Sequence, residues 1–268
     1  MTERLARGKL LLDSPAEAVV RIRISNPERR NALDHEILDA LAETLPRLDR
    51  GIETRCLLIT GAATVFSAGY DIAALSGETF ARDAEALVAH PFHKALEALG
   101  AHPWPTVAAI NGHCLGGGLE LAITCDLRIC AAGAKLGMPP AKLGLVYGHT
   151  GLRRFLDTVG LARTKELFLT GRYFEAARAE QIGLVHEVVD DEALEEAAVE
   201  LAAEIAANAP ISMRGNKHAI ELLNAAPVLT EQQEAGLIAL RESCFSSEDL
   251  REGIRAFAEK RKPEWKGR

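Results

Sequence analysis

A chain of 268 residues, 48% hydrophobic and 26% charged, is long enough for one large core or a core with a smaller helical region, and its composition excludes the disordered and fibrous classes. Its 31 basic and 38 acidic residues give a formal net charge of -7 and are mixed along the sequence without a polybasic run, which argues against nucleic-acid binding. An acidic chain can still take an anionic ligand through local Arg and Lys and through helix N-termini.

Charges interrupt the first twenty residues every few positions, and no window is apolar enough for a membrane span, so no membrane partner is expected. Three β-rich runs follow: residues 18–24, residues 56–60 ending at Gly61, and residues 107–110 ending at Asn111-Gly112. Each leads through a turn signal into a helical pattern. The first helix has Asp34 as its N-cap and Ile37, Leu38, Leu41, Leu45 and Leu48 as its apolar face. Strand, turn and helix in repetition imply an α/β core with functional loops after the strands. From about residue 190 the chain turns to Ala- and Glu-rich amphipathic segments, broken at Pro210 and Pro227. This predicts a docked helical region. The cysteines at 56, 114, 125, 130 and 244 show no C-x-x-C spacing, and four lie in apolar stretches; they read as reduced core residues of a cytoplasmic protein.

The most informative stretch runs from Ile110 to Asp126, where a strand passes through Gly116, Gly117 and Gly118 into an apolar helix. Glycines at a helix N-terminus allow close backbone approach and an N–H anion site, and they serve equally well in a tight packing turn. Glu120 tilts the balance. It stands in the first turn among Leu119, Leu121, Ala122 and Ile123, where burial would raise its pKa toward proton-transfer chemistry while the helix N-terminus lowers it. The alternative is a surface glutamate that complements the helix dipole. A second loop, residues 60–72, could bring another N–H to the same ligand atom, and two convergent N–H groups stabilise charge developing on a carbonyl oxygen.

Val65-Phe-Ser-Ala-Gly-Tyr-Asp-Ile72, Asn111-Gly-His-Cys-Leu-Gly-Gly-Gly-Leu-Glu120 and Phe257-Ala-Glu-Lys-Arg-Lys-Pro263 resemble signature segments of the crotonase (enoyl-CoA hydratase/isomerase) superfamily, as do Asn26-Pro-Glu-Arg-Arg-Asn-Ala-Leu33, Leu169-Thr-Gly-Arg172 and residues 179–185. The resemblance covers nearly the whole chain in the family's order. It implies an α/β fold, the ClpP/crotonase-like spiral of ββα units over residues 1–193, with a helical oligomerisation region over 194–268. It implies a homotrimer, commonly a dimer of trimers, acting on an acyl-CoA substrate with no metal or redox cofactor. By the same resemblance the N–H groups of Tyr70 and Gly117 form an oxyanion hole for the thioester, and Glu120 matches the first of the two hydratase glutamates. Ala68, Tyr70, Asp71 and Ile72 border the coenzyme together with Gly117, and Arg29, Arg30 and Lys260 are candidate phosphate contacts.

Three departures bear on the reaction. Pro140 stands where hydratases carry their second glutamate, although syn addition of water needs two groups. Tyr70 replaces the small residue usual after the oxyanion-loop glycine, so its ring can fill acyl-pocket volume. Tyr147, in Leu143-Gly-Leu-Val-Tyr147, resembles the methylmalonyl-CoA decarboxylase branch, where a tyrosine orients the departing carboxylate; otherwise it is a loop aromatic capping the core. His113 and His149 are candidate proton carriers by residue type, but they lack acidic neighbours in sequence and read as packing or loop residues. The leading reading is hydratase/isomerase-type proton transfer by Glu120; the alternatives are decarboxylation of a malonyl-type CoA ester using Tyr147 and acyl-CoA binding without chemistry.

Overall fold

The computed structural model describes residues 2–48, 53–71, 91–208, 210–224 and 248–261, with the single positions 235, 238, 239 and 242. The chain opens with β1 (Glu3–Leu5), β2 (Leu10–Ala16), β3 (Val19–Ile24) and α1 (His35–Leu48). Then come β4 (Cys56–Gly61), β5 (Val65–Ser67), α2 (His93–Gly100), β6 (Thr106–Ile110), β7 (His113–Leu115) and α3 (Gly117–Thr124). The remaining elements are β8 (Leu127–Ala131), β9 (Lys135–Gly137), α4 (His149–Thr170), β10 (Tyr173–Glu175), α5 (Ala176–Gln181), β11 (Glu187–Val189), α6 (Leu194–Ala206), α7 (Pro210–Asn224) and α8 (Glu248–Ala258).

All three β-rich runs became strands, and β4 and β6 are buried at every position, as continuous apolar runs in a covered parallel sheet should be. The described strands form a seven-stranded sheet in the order β1-β2-β3-β4-β6-β8-β11 and a four-stranded sheet in the order β10-β9-β7-β5. After β4, β6 and β8, though not after β3, the structure interposes a strand of three residues, namely β5, β7 or β9, before the next described α-helix. These are too short to show alternation, so the residue pattern alone reads strand, turn, helix. The resulting units β4-β5-α2, β6-β7-α3 and β8-β9-α4 pair their first strands in parallel within the seven-stranded sheet and their second strands in parallel within the four-stranded one. This is the ββα spiral that the resemblance implied.

Asp34 caps α1 as expected, its Oδ1 accepting from the Ile37 amide at 3.0 Å, and Ile37, Leu38, Leu41 and Leu45 are buried. The helical character after residue 190 is also present: α6 lies on the seven-stranded sheet, α7 is tied to the core by Lys217, and α8 packs against the 3-10 turn Pro140–Leu143. Lys217 Nζ donates to Asp126 Oδ2 at 2.8 Å and to the Trp104 carbonyl at 3.1 Å.

One buried side chain organises the turn that leads from β4 to the site. Asn31 is fully buried with φ at 54°, a left-handed conformation that Asn tolerates better than most residues. Its Nδ2 donates to the Ala62 carbonyl at 2.9 Å and the Val65 carbonyl at 2.6 Å, while its Oδ1 accepts from the Asn26 amide at 2.9 Å. Asn31→Ala strands three backbone groups, and an unsatisfied buried group costs roughly 1–3 kcal/mol, so urea unfolding should show a loss of about 3 kcal/mol or more; an unchanged midpoint contradicts this account of the turn.

Candidate active site

The glycine-rich turn and the helix it opens bring Glu120 into the protein interior. Glu120 lies in the first turn of α3 and is 3% exposed, because every other residue of 117–123 is buried as well. The surface-glutamate alternative is thereby set aside. Its Oε2 accepts a hydrogen bond from the Tyr147 hydroxyl at 2.5 Å, and its Oε1 accepts from Arg154 Nη1 at 3.1 Å. The Tyr147 hydroxyl is in turn 3.3 Å from that of Tyr70.

Burial pushes the Glu120 carboxyl above its ordinary range, against the Tyr147 hydrogen bond and the Arg154 guanidinium, which pull it down. Burial also raises Tyr147 well above the usual phenol value, with the Glu120 charge adding to it. A carboxyl raised in the folded state stabilises the protein below its unfolded value of about 4.5 and loses that contribution as pH rises through the folded value. Unfolding free energy of the wild type relative to Glu120→Gln should therefore decline from pH 4.5 upward until Glu120 is ionised. Parallel stability curves between pH 4 and pH 8 would be the contrary result.

Tyr70 follows β5 in the loop that α3 packs against. The Leu33 amide donates to the Gly69 carbonyl and the Asp71 amide to the Leu33 carbonyl, pinning the loop on both sides of Tyr70. A carbon placed on Gly69 would stand 3.1 Å from the Gly117 nitrogen, and one on Gly117 would stand 2.8 Å from the Tyr70 ring. The two loops expected to converge are thus adjacent, and the ring covers Gly117. It is held there edge-on to Phe92, with centroids 4.6 Å apart, so it occupies volume between Gly117 and Tyr147.

The expected coenzyme contacts fall into two groups. The Ala68 amide donates to the Arg30 carbonyl, and the buried Asp71 carboxylate is 3.8 Å from Arg29, so residues 29–30 and 68–71 form one surface beside Tyr70. Ile72 lies outside the described residues. Lys260 is exposed just beyond α8, with its amide donating to the Phe257 carbonyl. Pro140 is buried in the 3-10 turn and brings no acid. His149 is the first residue of α4.

His113 lines a separate cleft of about 500 Å³ between α6 and the ends of β4 and β6, which contains none of the residues above. Two of the polar groups there are tied to backbone groups of the same cleft, Asp191 to the Gly133 amide and Thr60 to the Ala109 carbonyl. Burial pushes the thiols of Cys56, Cys125 and Cys130 up to about 12, as inert core cysteines require; Cys244 lies outside the described residues. Among the described residues no group of three or more His, Cys, Asp and Glu could hold a metal ion, and no helix is long and apolar enough to cross a membrane.

Arg154 is the site residue that sequence reasoning missed. It stands directly after Arg153 and 34 residues from Glu120, and the available signal was its helical spacing from Tyr147 and Gly151.

A ββα spiral with a glycine-rich helix start beside a buried carboxyl defines a crotonase-type enzyme. The chain belongs to the enoyl-CoA hydratase/isomerase family, whose model matches residues 15–268. Among curated relatives, the 2,3-dehydroadipyl-CoA hydratase of Escherichia coli (strain K12) is 32% identical over 262 residues, covering 96% of this chain and 99% of the relative. The carnitinyl-CoA dehydratase of Salmonella typhi is 35% identical over 254 residues, covering 93% and 95%. Among solved structures, a methylmalonyl-CoA decarboxylase in complex with 2-nitronate-propionyl-CoA matches with a TM-score of 0.88 at 29% identity, covering 97% of this chain and 99% of the other.

Proposed function

We propose that this enzyme carries an acyl-CoA thioester through an enolate, with Glu120 as the group that moves a proton at the adjacent carbon, and that its reaction is loss of carbon dioxide from a malonyl-type thioester. The observation that carries this reading is the 2.5 Å contact of Tyr147 with Glu120 in a site where Pro140 stands at the place of a second acid. Among the described residues, the groups that act on Glu120 are this phenol and the Arg154 guanidinium, with no second carboxylate. Hydration needs one group for the water and one for the α proton; decarboxylation needs a single proton.

In this mechanism the bond between the α carbon and the carboxylate breaks and its electron pair becomes the enolate, as carbon dioxide departs. The negative charge on the thioester oxygen is held by the N–H groups of Tyr70 and Gly117, in the manner of an oxyanion hole. Glu120, which burial keeps protonated to higher pH than an exposed carboxyl, gives its proton to the α carbon and regains one from solvent. The Tyr147 hydroxyl orients the departing carboxylate. The Tyr70 ring over Gly117 favours a compact acyl group. Residues Arg29, Ala68, Asp71 and Lys260 meet the coenzyme, and residues 194–268 support assembly into a trimer or a dimer of trimers in the cytoplasm.

A second reading, hydratase/isomerase-type proton transfer, is favoured by the hydratase and dehydratase relatives at 32% and 35% identity. Tyr147→Phe tests the role that the first reading gives to Tyr147. A hydrogen bond to a charged group is worth roughly 1.5–3 kcal/mol, so decarboxylation of methylmalonyl-CoA should fall by about 10- to 100-fold in this variant. Decarboxylation at the wild-type rate would remove Tyr147 from the chemistry. Binding of acyl-CoA with no change in any thioester would favour a protein that binds without catalysing.

A further inference from the structure

Tyr147, Gly151 and Arg154 follow one another at intervals of four and three, the spacing that aligns residues along one face of a helix. All three meet the same carboxyl. A methyl group on Gly151 would stand 2.6 Å from the Tyr147 ring and 2.8 Å from Glu120 Oε1, so the first turn of α4 can lie against the pair only because residue 151 has no side chain. Three residues further on, Arg154 Nη1 donates to Oε1 at 3.1 Å, while Tyr147 holds Oε2. The carboxyl is therefore gripped at both oxygens from one helix and the residues leading into it. Arg154 supplies the only side-chain hydrogen bond described for Oε1.

We propose that Arg154 is a positioning residue for the reaction: it anchors Glu120 by Oε1, leaves the Oε2 edge to Tyr147 and the acyl group, and keeps the carboxyl able both to give up a proton and to take one back. The catalytic meaning of this anchoring rests on the enolate reading above; the anchoring itself does not. From α4 and the residues before it, the titratable groups facing Glu120 are Arg154 and Tyr147, with Tyr70 behind Tyr147. Among the described residues, the other elements against α3, namely α2, β5, β6, β7 and β8, bring no titratable group that shifts Glu120. Without Arg154, the Tyr147 hydrogen bond is what remains among the described residues to oppose burial. Glu120 would then stay protonated over a wider range and, once ionised, would lack a counter-charge.

The test is a carbon NMR titration of protein labelled with [δ-13C]glutamate, in which the resonance missing from Glu120→Gln identifies Glu120. In Arg154→Gln its midpoint should rise by about one pH unit or more, a tenfold or greater gain in proton affinity, as removing an adjacent opposite charge implies. Arg154→Lys should return most of the shift. Arg154→Met, which keeps the packing of the aliphatic stem, serves as the second charge-removing variant should Arg154→Gln not fold. A midpoint unmoved in a folded charge-removing variant overturns the proposal. Exchange of the α protons of propionyl-CoA in deuterated water, followed against pH, should shift its acid limb in the same direction. If the NMR midpoint moves while the wild type exchanges no α proton, the anchoring stands and the enolate reading fails.

Discussion

Replacing Glu120 by Gln should lower kcat/KM by roughly 100- to 10,000-fold, the range that a positioned general acid or base contributes, while acyl-CoA affinity changes little. The substitution keeps the shape of the side chain. The amide oxygen can still accept from Tyr147 or Arg154, so the packing of α3 against α4 has no reason to change. What disappears is the transferable proton and the buried charge. Since burial penalises that charge, the variant should be no less stable than the wild type above the folded pKa of Glu120. Equilibrium binding of a saturated acyl-CoA beside steady-state turnover checks both halves. A Glu120→Gln enzyme with full turnover would take Glu120 out of the mechanism, whichever reaction is assayed.

Gly118→Ala should damage the site through the backbone. A methyl group at this position would lie 2.6 Å from Ser67 Cβ and 2.7 Å from the Ser67 carbonyl oxygen. Ser67 cannot easily yield: it is fully buried, its hydroxyl donates to the Asn31 carbonyl at 2.8 Å and accepts from the Gly69 amide at 3.2 Å. The added methyl must push the loop carrying Tyr70 away from α3, and so separate the two backbone segments proposed to hold the thioester oxygen. Overpacking of this kind costs about 1–3 kcal/mol, and a displacement near 1 Å costs roughly 100-fold in rate. Gly118→Ala should therefore stay folded at ordinary temperature, with a lower Tm and turnover reduced about 100-fold. Turnover at the wild-type level would mean that the spacing between Ser67 and α3 does not set the reaction geometry.

What the sequence made legible follows from range. The Asp34 cap, the apolar face of α1 and the long strands β3, β4 and β6 are local patterns, of period 3.6 in the helix, of alternation in β3 and of continuous apolar residues in β4 and β6, and each stands in the structure within a residue or two of its expected place. Burial of Glu120 was also readable, because a carboxylate surrounded in sequence by Leu, Ala and Ile has no polar face to turn outward. The strands of three residues in the second sheet were hidden, since two periods of alternation cannot fit in them. They were reached only through the resemblance to a spiral fold. The pairing of Arg154 with Glu120 and of Lys217 with Asp126 joins residues 34 and 91 positions apart, and such contacts are fixed by how helices pack, which no local pattern records. Tyr147 lay between. Its place in the motif was visible, but its role as a buried partner of Glu120, rather than a cap on the core alone, needed the first turn of α4 and the missing side chain of Gly151.

The central claim, an enolate formed by loss of carbon dioxide and quenched by one proton, is tested most directly by incubating the wild-type protein with methylmalonyl-CoA and, separately, crotonyl-CoA in deuterated water, with mass spectrometry of the thioester products. The account predicts propionyl-CoA carrying one deuterium at the α carbon from the first and little water addition to the second. Methylmalonyl-CoA recovered unchanged while crotonyl-CoA gains water would contradict it, and would return Glu120 to hydration despite Pro140.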